Sequence, residues 1–199
     1  MGGIGLFGGS FDPIHLGHTF ICESFYEYLN LDQIFLIPSF NAPHKAQSQI
    51  SSFHHRLNMC NLAAKSLPST QVDNIEFSLD NGGYFINVVK EYSRRYPNQS
   101  LYMLVGSDTF QNISGWYQAR DMLSLITPCT VLRPTIDNKS MMKTISQLGK
   151  WQVNSIILDK VGPNISSRKI RQTITKNQDE DHLLDNRVLS YIQENRLYI

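Results

Sequence analysis

The chain has 199 residues, of which 41% are hydrophobic and 18% charged, and its formal net charge is +1. This composition supports a buried core and excludes a disordered chain, while the length predicts a single domain over residues 1–199. Because the chain is nearly neutral, it has no overall electrostatic field that would attract a polyanion, so we expect neither nucleic acid nor a membrane as a partner.

The cysteines and the first residues predict the cellular compartment. Cys22, Cys60 and Cys129 are an odd number at wide spacing and include no C-x-x-C pair, which is typical of reduced thiols. The first residues lack the basic start and long apolar run of a signal peptide, and no apolar run reaches the length of a membrane span. We therefore expect a cytoplasmic protein, either a monomer or a homodimer.

Short apolar clusters alternate with segments of helical spacing along the chain. Strands are predicted at residues 4–7, 34–37, 72–79, 101–105, 130–132 and 155–158. Helices are predicted between them at residues 13–29, 53–67, 84–96, 117–126 and 140–148. The alternation predicts an α/β fold with a doubly wound, mostly parallel sheet, which binds ligands at the carboxyl ends of its strands. From about residue 160 to 199 the pattern changes, and helices at 166–176 and 182–194 predict a small helical C-terminal segment.

The longest connection runs from residue 38 to residue 52 and is rich in Ser, Gln, Asn and Pro. Loops of this length in a compact domain are usually functional, so it is a candidate substrate loop. His44 and Lys45 in this loop could clamp a phosphate, but the composition alone is equally compatible with a solvated loop. His54, His55 and Arg56 follow the loop and are expected to begin a solvated helix.

The segment 8–18 reads G-G-S-F-D-P-I-H-L-G-H and joins the first predicted strand to the first predicted helix. Gly8 and Gly9 carry no Cβ, so their backbone N–H groups can approach an anion. Asp12 is expected to cap the helix and Pro13 to occupy its first turn. Free N–H groups at the positive end of a helix dipole then predict a phosphate-binding cradle.

His15 and His18 lie three residues apart, so both imidazoles are expected on one helix face beside that cradle. Gly17 between them leaves room for a nucleotide to lie against the backbone. Two imidazoles over a triphosphate suit a transition state that gathers negative charge, although either His alone would be interpreted as a partly buried surface residue. A metal site made of His15, His18 and Cys22 is a disfavoured alternative.

Later segments add further candidates, each with a structural alternative. Ser166 and Ser167 precede an apolar-periodic helix, so they can cap it and present N–H groups to a second phosphate. Arg171 projects from the first turns of the same helix, where its guanidinium could donate hydrogen bonds to that phosphate. The alternative is that the serines only cap the helix and that Arg171 is solvated. Trp116 suits either a core position or a stacking platform for a flat ring. Asp108 lies at a strand carboxyl end, where a solvated or capping role is the alternative.

Four segments resemble the motifs of one enzyme family. The segment 8–18 resembles the signature of the nucleotidylyltransferase superfamily, whose members join a nucleoside monophosphate to a phosphate-bearing acceptor and release pyrophosphate. Three segments resemble motifs of the bacterial nicotinate mononucleotide adenylyltransferases, namely I-P-S-F-N-A-P-H-K at 37–45, V-G-S-D with a following W-Y at 105–117, and N-I-S-S-R-K-I-R at 164–171. The resemblance extends from Phe7 to Tyr198.

The resemblance implies a Rossmann-like fold and adenylyl transfer from ATP to nicotinate mononucleotide in NAD biosynthesis, giving nicotinate adenine dinucleotide and pyrophosphate. It assigns catalysis to His15, His18 and Arg171. It places the ATP phosphates and ribose at Gly8, Gly9, Ser10, Gly17, Gly106, Asp108, Ser166 and Ser167. It places the acceptor at His44, Lys45, Phe85, Trp116 and Tyr117, with Trp116 stacked on the pyridine and Ser10 assisting Lys45 at the acceptor phosphate. Mg²⁺ is expected to arrive with ATP, and no protein side chain is expected to bind a metal.

Three positions depart from the family pattern. Phe85 and Arg168 each stand where the family has Thr, and Ala42 replaces a Pro. Main-chain N–H groups near Phe85 and Tyr117 suit the nicotinate carboxylate, but the exchange at Phe85 leaves nicotinamide mononucleotide open as the acceptor. The chain length and the Trp116 segment disfavour phosphopantetheine. The alternative outside the enzymes is a regulator that binds nucleotide without turnover. The presence of His15, His18 and Arg171 disfavours it.

Overall fold

The computed structural model describes residues 2–40, 50–79, 83–132, 138–176 and 183–199. The strands are β1 (Ile4–Gly9), β2 (Gln33–Pro38), β3 (Thr70–Val72), β4 (Leu101–Leu104), β5 (Thr127–Leu132) and β6 (Ile156–Val161). The helices are α1 (Leu16–Leu29), α2 (Phe53–Ala64), α3 (Ile75–Ser78), α4 (Phe85–Arg95), α5 (Ser107–Phe110), α6 (Ala119–Leu123), α7 (Asn138–Lys150), α8 (Ser167–Thr175) and α9 (Asn186–Glu194). The strands pair in parallel in the order β3-β2-β1-β4-β5-β6, which confirms the predicted doubly wound fold.

Two hydrophobic cores cover the two faces of the sheet. Residues of β2 alternate between them, with Ile34 and Leu36 in the core formed with α1, α2, α8 and α9. Phe35 and Ile37 point into the other core, formed with α3 to α7. Because successive strand residues face opposite sides, an unbroken apolar run is what a strand buried on both faces requires.

The predicted strand at residues 72–79 is wrong for most of its length. β3 ends at Val72, the last residue that pairs with β2, and Ile75–Ser78 forms the short helix α3. β3 lies at the edge of the sheet, and after Asp73 donates its N–H to Leu36 O there is no further pairing with β2 to extend it. The apolar residues at 75 and 77 imitate strand alternation, but the turn-forming Asp73 and Asn74 separate them from the sheet.

Several helix boundaries also differ from the prediction, and the differences at α1 and α6 lie near the candidate site residues. α1 begins at Leu16, so Asp12 and Pro13 precede it, and His15 is the N-cap residue. The expectation that Asp12 caps this helix is therefore wrong, because His15 occupies the capping position and accepts the Gly17 N–H. α6 covers only Ala119–Leu123 of the predicted helix 117–126, because Gln118 adopts a left-handed φ of 49° that interrupts it.

The C-terminal segment packs back onto the first half of the chain. α8 and α9 follow β6 without an intervening strand among the described residues, as predicted, and α9 packs against α2. The three cysteines are buried free thiols, and burial raises their pKa well above the ordinary value. In the described part of the chain, no helix has the length and apolar character needed to cross a bilayer.

Candidate active site

The candidate site lies at the carboxyl ends of β1, β2 and β4, where the winding of the sheet reverses. In open α/β sheets this reversal leaves a crevice in which ligands bind. β1 leads into Ser10 and the segment before α1, while β4 leads into Gly106 and Asp108 at the start of α5. The Ser39 N–H donates to Gly9 O at 2.8 Å, which holds the end of β2 against the same edge.

His15 and His18 form a stacked pair at the start of α1. Their ring centroids are 3.7 Å apart and the rings are inclined by 25°. Nδ1 of His15 accepts the Gly17 N–H, and Nδ1 of His18 accepts the His15 N–H, both at 3.1 Å. Because a ring nitrogen that accepts a hydrogen bond carries no proton, each neutral imidazole keeps its proton on Nε2. The backbone therefore sets the tautomer of both rings, and their Nε2–H groups are suited to phosphate oxygens.

Aromatic rings hold His18 from the side. The rings of Phe7 and Phe11 meet it edge-on, with centroids 5.7 Å and 5.1 Å from the imidazole. Phe11 has a left-handed φ of 46°, and its ring is buried in the core below the site. These contacts restrict the imidazole to one orientation.

The glycines of the segment 8–18 are required by close packing. None of Gly8, Gly9 and Gly17 has a positive φ. A Cβ on Gly8 would lie 2.4 Å from Cε2 of Phe85, and one on Gly17 would lie 3.0 Å from the His15 ring. Gly8 thus lets the first residue of α4 approach the end of β1, which places Phe85 beside the proposed cradle.

Asp12 and Arg56 form a buried network below the cradle. Asp12 has no exposed surface, and its Oδ1 accepts from the Tyr198 hydroxyl at 2.8 Å and from Ser51 N at 3.2 Å. Arg56 is 1% exposed and donates to Ser10 O at 2.8 Å and to Ser51 O at 3.0 Å. The expectation that Arg56 belongs to a solvated helix start is wrong, because its side chain binds the loops on which the site is built.

α8 is tied to the same segment. Ser166 caps this helix by accepting the Lys169 N–H at 3.3 Å, as expected. The Ser167 hydroxyl donates to Pro13 O at 2.9 Å, and Nη1 of Arg171 donates to Asp12 O at 2.6 Å. The same Nη1 lies 3.5 Å from Asp12 Oδ2. The amino ends of α1 and α8, both candidate phosphate sites, are therefore joined by direct hydrogen bonds.

The candidate acceptor residues surround the start of α4. Trp116 is partly buried, and its ring meets Phe85 edge-on with centroids 6.3 Å apart. The exposed rings of Tyr84 and Tyr117 lie against each other at 4.3 Å. Asp108 is exposed in the first turn of α5, and its carbonyl accepts from Asn112.

His44 and Lys45 lie outside the described residues, so the structure gives them no position. The described residue closest to them on the amino side is Phe40, whose N–H donates to Oε2 of Glu76 at 3.0 Å. Glu76 is 5% exposed, and burial raises its pKa to about 7, although the bond from Phe40 and the charge of Arg56 oppose the shift. Glu76 thus anchors the start of the candidate substrate loop.

Sequence reasoning missed the roles of Asp12, Arg56, Glu76 and Tyr198. Arg56 had a detectable signal, since Arg56, Met59, Cys60 and Ala63 follow helical spacing and form the buried stripe of α2. The other three have their partners far away in sequence, so no local pattern marks them. In the described residues, no three His, Cys, Asp or Glu side chains come together as metal ligands, including around His15, His18 and Cys22.

Comparison with known proteins places these features in a family context. Residues 6–173 match a family model described as cytidylyltransferase-like. A probable nicotinate-nucleotide adenylyltransferase of Carboxydothermus hydrogenoformans is 35% identical, and the match covers 98% of this chain and 97% of that protein. The nicotinate-nucleotide adenylyltransferase of Bacillus subtilis is 29% identical with the same coverage of both chains.

A solved structure has the same fold. The Plasmodium falciparum nicotinic acid mononucleotide adenylyltransferase complexed with NaAD matches with a TM-score of 0.78 at 21% identity, over 98% of this chain and 96% of that one. The structural match supports the Rossmann-like architecture, and both kinds of comparison extend over nearly the whole chain.

Proposed function

Since this chain belongs to the nicotinate-nucleotide adenylyltransferase family, within the wider cytidylyltransferase-like family, we propose that it transfers the adenylyl group of ATP to nicotinate mononucleotide. The products are nicotinate adenine dinucleotide and pyrophosphate. The observation that carries the proposal is the stacked pair His15 and His18, with both Nδ1 atoms bound to backbone N–H groups at the amino end of α1.

The reaction is an in-line displacement at the α-phosphorus of ATP. An oxygen of the acceptor 5′-phosphate forms the new P–O bond, while the bond from the α-phosphorus to the oxygen of the departing pyrophosphate breaks. A phosphate monoester is anionic at neutral pH, so its attack needs no general base. The Nε2–H groups of His15 and His18 stabilise the charge that develops on the α-phosphate and on the leaving oxygen.

The amino end of α8 serves the β- and γ-phosphates. Its helix dipole and free N–H groups favour an anion, and Ser166 and Ser167 lie at its first positions. Arg171 uses Nη1 to hold Asp12 O. A guanidinium has five N–H donors, so further donors remain for a phosphate. The cradle of Gly8, Gly9 and Ser10, with Gly17, receives the rest of the triphosphate, and Gly106 and Asp108 receive the ribose.

The acceptor binds between α4 and the segment after α5. Trp116 offers an indole face to the electron-poor pyridine ring, while main-chain N–H groups near Phe85 and Tyr117 bind the carboxylate. His44 and Lys45, with Ser10, bind the acceptor phosphate. A carboxylate binds paired N–H donors better than a neutral carboxamide does, which favours nicotinate over nicotinamide.

Mg²⁺ fits this site as part of the ATP complex. Apart from the Asp108 carboxylate, which is assigned to the ribose, the candidate residues around the triphosphate offer imidazole, guanidinium, hydroxyl and backbone N–H groups, which bind phosphate oxygens, whereas Mg²⁺ prefers carboxylate oxygens. Bound to the phosphates, the ion would neutralise charge on the departing pyrophosphate. The protein residues then position the triphosphate around it.

The proposal is tested by measuring pyrophosphate release from Mg-ATP with nicotinate mononucleotide, nicotinamide mononucleotide and phosphopantetheine offered separately at equal concentration. We expect a strong preference for the nicotinate acceptor. A preference for nicotinamide mononucleotide would assign acceptor choice to Phe85 and contradict the carboxylate argument. Binding of ATP without release of pyrophosphate in the presence of any of the three acceptors would favour a nucleotide-binding regulator without turnover.

A further inference from the structure

The C-terminal end of the chain reaches the site through the side chain of Tyr198. The Tyr198 hydroxyl donates to Oδ1 of Asp12 across 186 positions of sequence, at 2.8 Å. Burial raises the pKa of this phenol, and the nearby Asp12 carboxylate raises it further, so the hydroxyl remains a donor. Tyr198 has a left-handed φ of 67°, the backbone geometry in which this contact is made.

The hydroxyl is not what docks the tail. The Tyr198 carbonyl accepts from the Thr175 hydroxyl at 2.8 Å, and Leu197 N donates to Ile192 O at 3.0 Å. The side chains of Leu197 and Tyr198 also pack against the hydrophobic core. The tail therefore has its own anchors, and the hydroxyl bonds to Asp12 and to the Ser51 side chain just before α2.

Asp12 in turn determines how α8 meets the segment before α1. Its carbonyl holds Nη1 of Arg171, and the carbonyl of Pro13 holds Ser167. Its carboxylate is fully buried, with two donors on Oδ1, whereas Oδ2 has no hydrogen-bond partner among the described residues and lies 3.5 Å from Nη1 of Arg171. A buried carboxylate that loses a donor must find another, and the nearest cation is Arg171.

We propose that Tyr198 is a positioning residue for adenylyl transfer, a role that rests on the activity proposed above. By donating to Oδ1, its hydroxyl keeps the Asp12 carboxylate from turning fully toward Arg171. The guanidinium then stays oriented for the departing pyrophosphate. The end of the chain thereby aligns the phosphate sites of α1 and α8.

The test is Tyr198→Phe, with Tyr191→Phe as the matched control. Both changes remove one hydroxyl from the C-terminal segment, but the Tyr191 hydroxyl bonds to His55 and Asn58 on α2 and does not touch Asp12. We expect Tyr198→Phe to lower kcat about tenfold, with KM for both substrates within about twofold of wild type. Tyr191→Phe should keep the wild-type kcat while lowering the unfolding temperature by a similar amount.

Thr175→Val provides a second variant should Tyr198→Phe fail to fold. It removes the hydroxyl that lies 2.8 Å from the Tyr198 carbonyl and 2.9 Å from the Arg171 carbonyl, so it loosens the arrangement from both sides, and we expect it to lower kcat about threefold without changing KM. A wild-type kcat in every folded variant, or an equal loss of kcat in Tyr191→Phe, would overturn the positioning role of Tyr198 and leave the proposed function standing. A wild-type chain that releases no pyrophosphate would overturn the proposed function as well.

Discussion

At the residue scale, the arrangement of His15 and His18 links helix capping to chemistry. Each Nδ1 accepts a backbone N–H within the segment 15–18, so the start of α1 and the tautomer of both imidazoles are set by the same hydrogen bonds. The protons on Nε2 are then already in place before substrate arrives. Preorganised donors of this kind cost no reorganisation during the reaction.

His18→Ala tests this role. We expect kcat to fall about 10²- to 10³-fold, with much smaller changes in KM, because the imidazole donates to charge that develops only in the transition state. His54→Ala is the matched control, since His54 lies in the first turn of α2 and contacts Asn58. Steady-state kinetics measure both, and a near-normal kcat in His18→Ala would remove His18 from the mechanism.

Trp116→Ala tests the acceptor platform. We expect KM for nicotinate mononucleotide to rise about tenfold, while KM for ATP changes little, because in the proposed complex only the pyridine stacks on the indole. Trp151→Ala is the control, since Trp151 packs against the same hydrophobic core as Trp116 but lies directly after α7 and is not among the candidate acceptor residues. Equal increases in KM for the two substrates would indicate that Trp116 serves core packing instead.

Glu76→Gln tests the buried carboxyl that holds Phe40. Its folded pKa of about 7 lies above the ordinary 4.5, so the native state binds a proton more tightly than the unfolded state does. The contribution of Glu76 to the free energy of unfolding is therefore fully present below pH 4.5 and is lost as the pH rises to about 7.

The Gln variant lacks this titration, so its stability relative to wild type should improve between pH 5 and pH 8, by at most about 3 kcal/mol. Urea denaturation of both proteins at the two pH values measures the difference. A relative stability that does not change with pH would contradict the burial argument.

At the element scale, the contact between the end of β1 and the start of α4 depends on the absence of a side chain at Gly8. A methyl group there would lie 2.4 Å from Cε2 of Phe85. We expect Gly8→Ala to destabilise the fold by about 1–3 kcal/mol, as overpacking does. Combining it with Phe85→Thr, which places the residue common in the family at this position, should recover most of that loss.

Thermal unfolding of the two single variants and the double variant gives the coupling free energy between the positions. Gly9→Ala is a suitable control, because the three atoms nearest to its methyl would all belong to Phe11, the first at 3.1 Å. Additive effects of Gly8→Ala and Phe85→Thr would show that the clash is relieved elsewhere.

The sequence predicted elements best where local pattern and tertiary environment agree. Residues 4–7 of β1 and 34–37 of β2 carry no polar side chain because both faces of the sheet are covered, and α1 begins within three residues of its predicted start. The prediction was wrong at residues 72–79, where strand-like alternation occurs beyond the last paired residue of an edge strand. Alternation did not report burial there, since Phe77 is exposed and Glu76 is buried, and pairing partners decide whether a strand forms.

At the scale of the whole molecule, buried polar contacts join segments that are distant in sequence. Ser10 and Asp12 from the first loop meet Arg56 of α2, Arg171 of α8 and Tyr198 at the end of the chain. The motif at residues 8–18 predicted the phosphate cradle because its chemistry is local. The network beneath it could not be predicted, since a polar residue marks no partner until the fold brings one to it.

The most direct test of the account follows the label from [α-³²P]ATP in a reaction that contains equal amounts of nicotinate mononucleotide and nicotinamide mononucleotide. We predict that the label enters nicotinate adenine dinucleotide, with little in the nicotinamide dinucleotide, because the α-phosphorus is the centre attacked and the site favours a carboxylate. Label that stays in ATP, or that leaves in AMP or ADP without a dinucleotide product, would contradict adenylyl transfer at this site.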